Sequence, residues 1–120
     1  MPTLLVIEDE LEIIDSLRDY FKAHGVTVIS APTGEEGLTL IEQKKPEMVL
    51  LDMKLGAGIS GLEVLRRAKA LNLKAKIVVV TAVDDQNVAD MAVGLGADGY
   101  VTKPLTLQEI EKVVLSRLKV

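Results

Sequence analysis

Cysteine and tryptophan are absent from this chain of 120 residues, and aromatic residues make up only 2% of it. Without cysteine there are no disulfides and no thiolate metal sites, which fits a reducing compartment. The chain also lacks an apolar run long enough to span a membrane and a basic segment ahead of its first apolar run, so a cytoplasmic location is expected. Basic residues are not in excess, since the formal net charge is −4. The composition therefore does not indicate nucleic-acid binding.

The composition that remains is that of one ordinary globular domain. Apolar residues account for 48% of the chain and charged residues for 27%, a balance that does not indicate disorder. A chain of this length buries roughly two-thirds of the surface of its unfolded state, which is enough for one core. We therefore expect a single domain over residues 1–120.

Apolar, β-branched segments alternate with amphipathic segments about every 20 to 25 residues, a period that predicts repeated βα units. The predicted strands are Thr3–Ile7, Val26–Ala31, Met48–Asp52, Lys76–Thr81 and Gly99–Thr102. The first, third and fourth are apolar at successive positions, which predicts a parallel sheet covered on both faces. The predicted fold is a doubly wound α/β domain with helices on both faces of a five-stranded parallel sheet.

Helix starts are predicted by capping-box spacings, in which a hydroxyl and a carboxylate three residues later satisfy free N–H groups. Three such pairs place helix starts near residues 34, 61 and 107: Thr33 with Glu36, Ser60 with Glu63, and Thr106 with Glu109. A first helix is expected from Glu10 to His24 and a fourth from Gln86 to Leu95. Each precedes a glycine that suits a left-handed conformation, Gly25 and Gly96 respectively. Asp84 and Asp85 are expected to cap the fourth helix.

Acidic residues stand at the ends of two of the predicted strands. Glu8 and Asp9 follow the first strand, and Asp52 closes the third. If these strands are neighbours, three carboxylates converge at one edge of the sheet, where only a bound cation or an amine offsets their repulsion. Mg²⁺ suits such a site because it takes oxygen ligands. Thr81 and Lys103 end the fourth and fifth strands, so both are expected at the same edge.

With these residues in place, the sequence resembles the receiver domains of two-component response regulators. The resemblance rests on segments in register along the whole chain: Glu8-Asp9, Asp52, Thr81-Ala82 and Gly96-Ala97-Asp98-Gly99-Tyr100-Val101-Thr102-Lys103-Pro104. It implies a flavodoxin-like strand order 2-1-3-4-5, which right-handed crossovers also favour. In that order the ligand crevice lies between the first and third strands, where the acidic residues end.

The resemblance implies a phosphoacceptor rather than an enzyme that turns over a separate substrate. Asp52 is expected to take a phosphoryl group from a histidine kinase, a phosphotransfer protein or a small acyl phosphate. Mg²⁺ is expected to bind Asp9, Asp52 and the backbone carbonyl of Lys54 directly, and Glu8 through a water molecule. Phosphotransfer and autodephosphorylation are then self-catalysed.

A switch is implied by the same resemblance. Lys103 is expected to bring positive charge to the phosphoryl group and Thr81 a hydroxyl, and the Lys103–Pro104 peptide is expected to be cis. Movement of Thr81 toward the phosphoryl group would let Tyr100 turn inward. The fourth helix, fifth strand and fifth helix would then present a changed surface to a downstream protein, an effector domain or a second copy.

The chain departs from the family pattern after Asp52. Receivers usually carry D-x-x-M-P-x-x-D-G, whereas Gly56-Ala57-Gly58-Ile59-Ser60-Gly61 is one residue longer and lacks the proline. This predicts a more mobile loop. Val83 offers no polar group to position an attacking water, which favours a long-lived phosphorylated state.

Three alternatives compete with this interpretation. The 56–61 segment matches the G-x-G-x-x-G pattern of dinucleotide sites, but four residues separate it from Leu51, and Asp52 would repel a pyrophosphate. Haloacid-dehalogenase-like phosphatases need a second acid two places after the nucleophile, and here that residue is Lys54. A pseudo-receiver, an interaction module that never takes phosphate, also stays open as an alternative.

Overall fold

The computed structural model describes residues 2–56, 58–71, 74–82, 85–103 and 106–118. These residues form five strands and five helices in alternation: β1 (Thr3–Ile7), α1 (Leu11–Lys22), β2 (Thr27–Ala31), α2 (Gly34–Lys44), β3 (Met48–Asp52), α3 (Gly61–Ala70), β4 (Lys76–Ala82), α4 (Gln86–Gly94), β5 (Gly99–Lys103) and α5 (Leu107–Leu118). The strands make one parallel sheet in the order β2-β1-β3-β4-β5, which confirms the predicted fold. In this described part of the chain, no helix combines the length and the apolar composition of a membrane span.

Both faces of the sheet are buried, because successive residues of a strand point to opposite sides. On one face Leu4 and Leu50 pack in a layer that includes Phe21 of α1 and residues of α5. On the other face Leu5 and Leu51 pack in a layer with residues of α2, α3 and α4. A fully buried side chain of this kind contributes about 1.5 to 3 kcal/mol relative to an exposed one. The two layers explain why the central strands are apolar at successive positions.

The connection between α1 and β2 is longer than the sequence predicted, because it covers residues 23–26 and not Gly25 alone. The helix ends at Lys22, and the N–H groups of His24 and Gly25 donate to the carbonyls of Phe21 and Lys22 at 3.0 and 3.2 Å. Gly25 is left-handed, with a φ of 77°, as predicted. The N–H of Val26 also donates to Phe21, at 2.9 Å. The predicted helix end at His24 and strand start at Val26 are therefore wrong, because a turn occupies these residues.

Smaller differences occur at the other boundaries. The fourth helix ends one residue before the predicted Leu95, and Gly96 then adopts the predicted left-handed conformation, with a φ of 103°. The fourth and fifth strands each extend one residue further than predicted, to Ala82 and Lys103. Both extensions carry the strand ends toward the edge where the acidic residues lie.

The hydroxyl half of each predicted capping box is present. In all three, a backbone N–H donates to the hydroxyl oxygen at 3.2 Å: Glu36 to Thr33, Glu63 to Ser60, and Glu109 to Thr106. The carboxylate half is wrong at α3, where Glu63 accepts hydrogen bonds from Arg66 and Arg67 instead. Asp85 occupies the N-cap position of α4, but its side chain makes no capping hydrogen bond with the described residues. Asp84 lies outside them.

Candidate functional site

The strand register brings the acidic residues after β1 and at the end of β3 side by side. Ile7 pairs with Leu51, so the next residues, Glu8 and Asp52, are neighbours at the carboxyl edge of the sheet. Both are buried, with exposed fractions of 3% and 2%. Asp9 follows Glu8 on the exposed side of the edge. The register thus places the three acids predicted from the sequence in one region.

Glu8 occupies an unfavourable position for a charged carboxylate. Burial raises the pKa of Glu8 to about 8, and the hydrogen bond to Asp52 and the charge of Asp52 act in the same direction. The N–H of Glu10 donates to Glu8 Oε1 at 3.2 Å, which opposes this rise in pKa. The two buried acids therefore favour added positive charge at this edge.

Asp52 is oriented by a donor on each of its oxygens. The ammonium group of Lys103 donates to Oδ2 at 3.1 Å, and the backbone N–H of Lys54 donates to Oδ1 at 2.9 Å. Burial lowers the pKa of Lys103, but the hydrogen bond and charge of Asp52 outweigh it and leave that pKa above its ordinary value. Lys103 is therefore charged across the physiological pH range, and its ammonium group forms an ion pair with the Asp52 carboxylate.

Thr81 places a buried hydroxyl near these groups. Asp52 pairs with Val80, so Thr81 follows the residue beside Asp52. Thr81 is only 2% exposed, and its Oγ1 has no hydrogen-bond partner among the described residues. A buried polar atom without a partner costs about 1 to 3 kcal/mol, so such an atom often has a functional explanation.

An oxygen-ligand cluster lies beside Asp52. Glu8, Asp9 and Glu10 each offer a carboxylate oxygen, and these oxygens lie within 4.8 Å of one another. Such a set suits a hard divalent cation such as Mg²⁺. Glu10 was not among the predicted ligands, and its only signal in the sequence is its position next to Glu8 and Asp9. Asp52 lies outside this cluster of three, and its role as a metal ligand, like that of the Lys54 carbonyl, stays a prediction.

The glycine-rich segment between β3 and α3 runs past two carboxylates. The N–H of Gly56 donates to Asp9 Oδ2 at 3.1 Å, and the N–H of Ile59 donates to Glu35 Oε1 at 3.3 Å. These two N–H groups are already hydrogen-bonded to anions, so they are not presented to a pyrophosphate. This arrangement disfavours the dinucleotide-binding alternative. The predicted mobility of the loop stays a prediction, and Ala57 lies outside the described residues.

The other predicted switch residue lies on the surface. Tyr100 on β5 is 42% exposed, which is the outward position. Met91 and Val93 of α4 are also exposed. Two further residues that were given roles, Val83 and Pro104, lie outside the described residues, and so does the peptide bond that precedes Pro104.

Comparison with known proteins decides the family. A sequence model described as the response regulator receiver domain matches residues 4–115. The chain belongs to this family. It is a receiver domain of two-component response regulators, in which phosphorylation on an aspartate is characteristic. Receiver domains generally bind Mg²⁺ through an acidic pocket and interact with histidine kinases and phosphotransfer proteins.

Relatives and solved structures extend this match over nearly the whole receiver domain. Alkaline phosphatase synthesis transcriptional regulatory protein PhoP of Bacillus subtilis (strain 168) is 33% identical over 120 residues, which cover 98% of this chain and 50% of that protein. Sporulation initiation phosphotransferase F of the same strain is 29% identical over 92% of this chain and 89% of that protein. A crystal structure of a response regulator receiver domain protein from Clostridium thermocellum matches with a TM-score of 0.89 at 26% identity, over 99% of this chain and 95% of that one. The chain thus spans about half the length of the transcriptional regulator it matches.

Proposed function

We propose that Asp52 is the phosphoacceptor of this receiver domain. The observation that carries the proposal is the placement of Asp52, a buried carboxylate whose two oxygens accept from Lys103 and from the Lys54 N–H. An Asp52 oxygen attacks the phosphorus of a phosphohistidine, forming an acyl phosphate as the P–N bond breaks and its electron pair returns to the imidazole. A small acyl phosphate reacts in the same way through its P–O bond.

The residues around Asp52 supply charge and hydrogen bonds to the phosphoryl group. Lys103 carries a positive charge next to the reacting oxygen, and the Thr81 hydroxyl is buried nearby and without a partner in the described residues. Glu8, Asp9, Asp52 and the Lys54 carbonyl would hold Mg²⁺, and the raised pKa of Glu8 fits a site made for a cation. Bound Mg²⁺ would screen the repulsion between the acids and the incoming phosphate.

The chain's own activity is then limited to accepting the phosphoryl group and losing it to water. The phosphorylated state should be long-lived if Val83 fails to position that water. The match over residues 4–115 supports treating residues 1–120 as one receiver domain. A histidine kinase or a phosphotransfer protein would be the donor, and the cytoplasmic location stays a prediction.

Labelling with a small acyl phosphate tests the assignment of Asp52. The protein is incubated with Mg²⁺ and acetyl phosphate, and its intact mass is measured over time. Wild type should gain one phosphoryl group, because Asp52 is the buried carboxylate that Lys103 contacts. Asp52→Asn should gain none, because an amide nitrogen or oxygen is a poor nucleophile toward phosphorus.

The control variant is Asp19→Asn, which changes an exposed aspartate of α1 and should label like wild type. Equal labelling of wild type and Asp52→Asn would contradict the assignment. If neither wild type nor Asp19→Asn takes a phosphoryl group from any donor, the chain is instead a pseudo-receiver.

We also propose that Thr81 and Tyr100 form a switch. Thr81 pairs with Thr102, and Val79 pairs with Tyr100. Paired residues of a parallel sheet point to the same side, so Thr81 and Tyr100 lie diagonally on one face. A hydrogen bond from Thr81 to the phosphoryl group would vacate space that Tyr100 can enter. The surface formed by α4, β5 and α5 would change, for a downstream protein, an effector domain or a second copy of the chain.

Beryllofluoride with Mg²⁺ mimics the phosphoryl group and allows this switch to be measured. Amide NMR shifts should change at Tyr100 and in α4 as well as around Asp52, and Thr81→Ala should remove the distant changes. Coupling of this kind is typically about 1 to 3 kcal/mol, so partner affinity or dimerisation should change by roughly 5- to 150-fold. Shifts that stay confined to the neighbourhood of Asp52 in wild type would refute the switch.

A further inference from the structure

The glycine-rich loop after β3 contacts Glu35, a residue that has no role in the phosphorylation chemistry proposed above. Glu35 lies in the first turn of α2, and its Oε1 accepts the N–H of Ile59 at 3.3 Å. The two residues are 24 positions apart in the sequence. The bond joins a neutral N–H to a carboxylate across the surface of the protein, and its length of 3.3 Å makes it a weak contact by itself.

The loop also passes close to the Glu35 carboxylate at Gly58. A Cβ atom added to Gly58 would lie 2.3 Å from Glu35 Oε1 and 2.7 Å from Oε2, both far shorter than normal contacts. Gly58 has a φ of 78°, a conformation that other residues adopt only with strain. The left-handed backbone therefore favours glycine here, and the short distances show how closely the Glu35 carboxylate approaches the loop.

A second contact, which is apolar, joins the loop to the start of α2. A Cβ atom on Gly34 would lie 2.8 Å from Ile59 Cγ1 and 2.4 Å from Val64 Cγ2, so these side chains pack directly on the helix backbone. Ile59 thus offers its side chain to Gly34 and its N–H to Glu35. The segment is fixed to α2 by packing and by a hydrogen bond at the same residue.

The other end of the loop is held by the proposed metal site itself. The N–H of Gly56 donates to Asp9 Oδ2 at 3.1 Å, and a Cβ atom on Gly56 would lie 2.8 Å from that oxygen. Asp9 therefore accepts a hydrogen bond from the loop and is also a member of the carboxylate cluster. Glu35 is not a member of that cluster, so its contact does not compete with a cation.

We propose that Glu35 is a positioning residue for the phosphorylation site. It holds the far end of the loop, whose near end is held by Asp52 at Lys54 and by Asp9 at Gly56, and so it restricts movement of the backbone between these contacts. This inference rests on the proposed function, because the consequence of holding the loop is a defined position for the Lys54 carbonyl and for the mouth of the site. Loss of the contact should loosen the loop, weaken Mg²⁺ binding and change the rate at which phosphoaspartate is hydrolysed.

Three variants test the proposal. Glu35→Ala removes the acceptor, and Glu35→Gln keeps an oxygen that can accept the Ile59 N–H. Glu36→Ala is the matched control, since Glu36 is an exposed acid of the same first helical turn and shares the favourable position near the helix N-terminus. Amide hydrogen exchange of Ile59 is measured without Mg²⁺, Mg²⁺ affinity is measured by titration, and phosphoryl loss is followed after labelling with acetyl phosphate.

Glu35→Ala should speed exchange at Ile59 by about threefold to tenfold, which corresponds to one hydrogen bond. Mg²⁺ binding should weaken by a smaller factor, because Glu35 acts on the loop and does not contact the cation. The rate of phosphoryl loss should change in the same variant. Glu35→Gln should recover most of each effect, and Glu36→Ala should match wild type.

Unchanged exchange at Ile59 in Glu35→Ala would overturn the contact. Faster exchange with unchanged Mg²⁺ affinity and unchanged phosphoryl loss would overturn the positioning role, while labelling of wild type would still support the phosphoacceptor. Failure of wild type to label at all would instead overturn the proposed function and the positioning role with it, although the exchange data would still report the contact.

Discussion

At the scale of single residues, Glu8 holds a carboxyl group where burial and the charge of Asp52 both disfavour ionisation. Its pKa of about 8 in the folded protein compares with an ordinary value of 4.5. The folded state therefore binds this proton more tightly than the unfolded state does. The stability that results is fully present below about pH 4.5 and is lost as the pH rises toward about 8.

Stability of the metal-free protein should consequently fall as the pH rises from 5 to 8. The contribution of Glu8 to this slope is at most about 1.4 kcal/mol per pH unit, the value for one proton. Urea unfolding at several pH values measures it, as the difference between wild type and Glu8→Gln. The variant cannot lose this proton, so its stability should depend less on pH.

Added Mg²⁺ should reduce the same slope in wild type, because a cation at the site favours the charged form of Glu8. Identical pH profiles for wild type and Glu8→Gln would show that Glu8 titrates normally and that the two acids do not share one buried site.

Some of the site residues were predictable from the sequence because strand ends converge in a parallel sheet. Glu8, Asp52 and Lys103 each stand at the end of a predicted strand. The pairing register of the strands then brings these ends to the same edge of the sheet. Glu35 was not predictable, because its contact with Ile59 depends on the path of an irregular loop. Glu10 was missed for another reason, since acids at a helix start are common without any ligand.

At the scale of elements, the start of α3 approaches the end of β3 very closely. A Cβ atom on Gly61 would lie 2.6 Å from the backbone oxygen of Asp52 and 2.6 Å from the Cα of Met53. Backbone atoms cannot move aside as a flexible side chain can. The glycine therefore allows the loop to leave Asp52 and return beside it within a few residues.

Gly61→Ala should destabilise the fold by about 1 to 3 kcal/mol, the usual cost of overpacking. Gly94→Ala is the control, because a Cβ atom there meets nothing within 4 Å. Alanine in place of a helical glycine normally stabilises by roughly 0.5 to 1 kcal/mol. Urea unfolding measures the free energy of unfolding of both variants. A stabilising effect of Gly61→Ala would contradict the close approach of Gly61 to the backbone of Asp52 and Met53.

The elements themselves were largely predictable, because burial on both faces leaves a run of apolar residues in each central strand. Met48–Asp52 shows this most clearly, since every residue in it is buried. The end of α1 was not predictable to the residue. Val26 is as apolar and β-branched as a strand residue, but its N–H bonds back to Phe21 and closes a turn.

Across the molecule as a whole, one face of the sheet carries both proposed switch residues. Thr81 and Tyr100 share that face, and α4 packs over it. The proposed phosphorylation site lies at the carboxyl edge of the sheet. The surface that we propose to change on phosphorylation lies along β5 and the neighbouring helices α4 and α5.

Chemical trapping identifies the residue that receives the phosphoryl group, which we propose to be Asp52. Borohydride reduces an acyl phosphate at its carbonyl and releases phosphate, so a phosphorylated aspartate becomes homoserine. After reaction with acetyl phosphate and Mg²⁺, peptide mass spectrometry should find homoserine at position 52 and aspartate at position 9. Homoserine at position 9 or elsewhere, with aspartate intact at position 52, would show that Asp52 is not the phosphoacceptor.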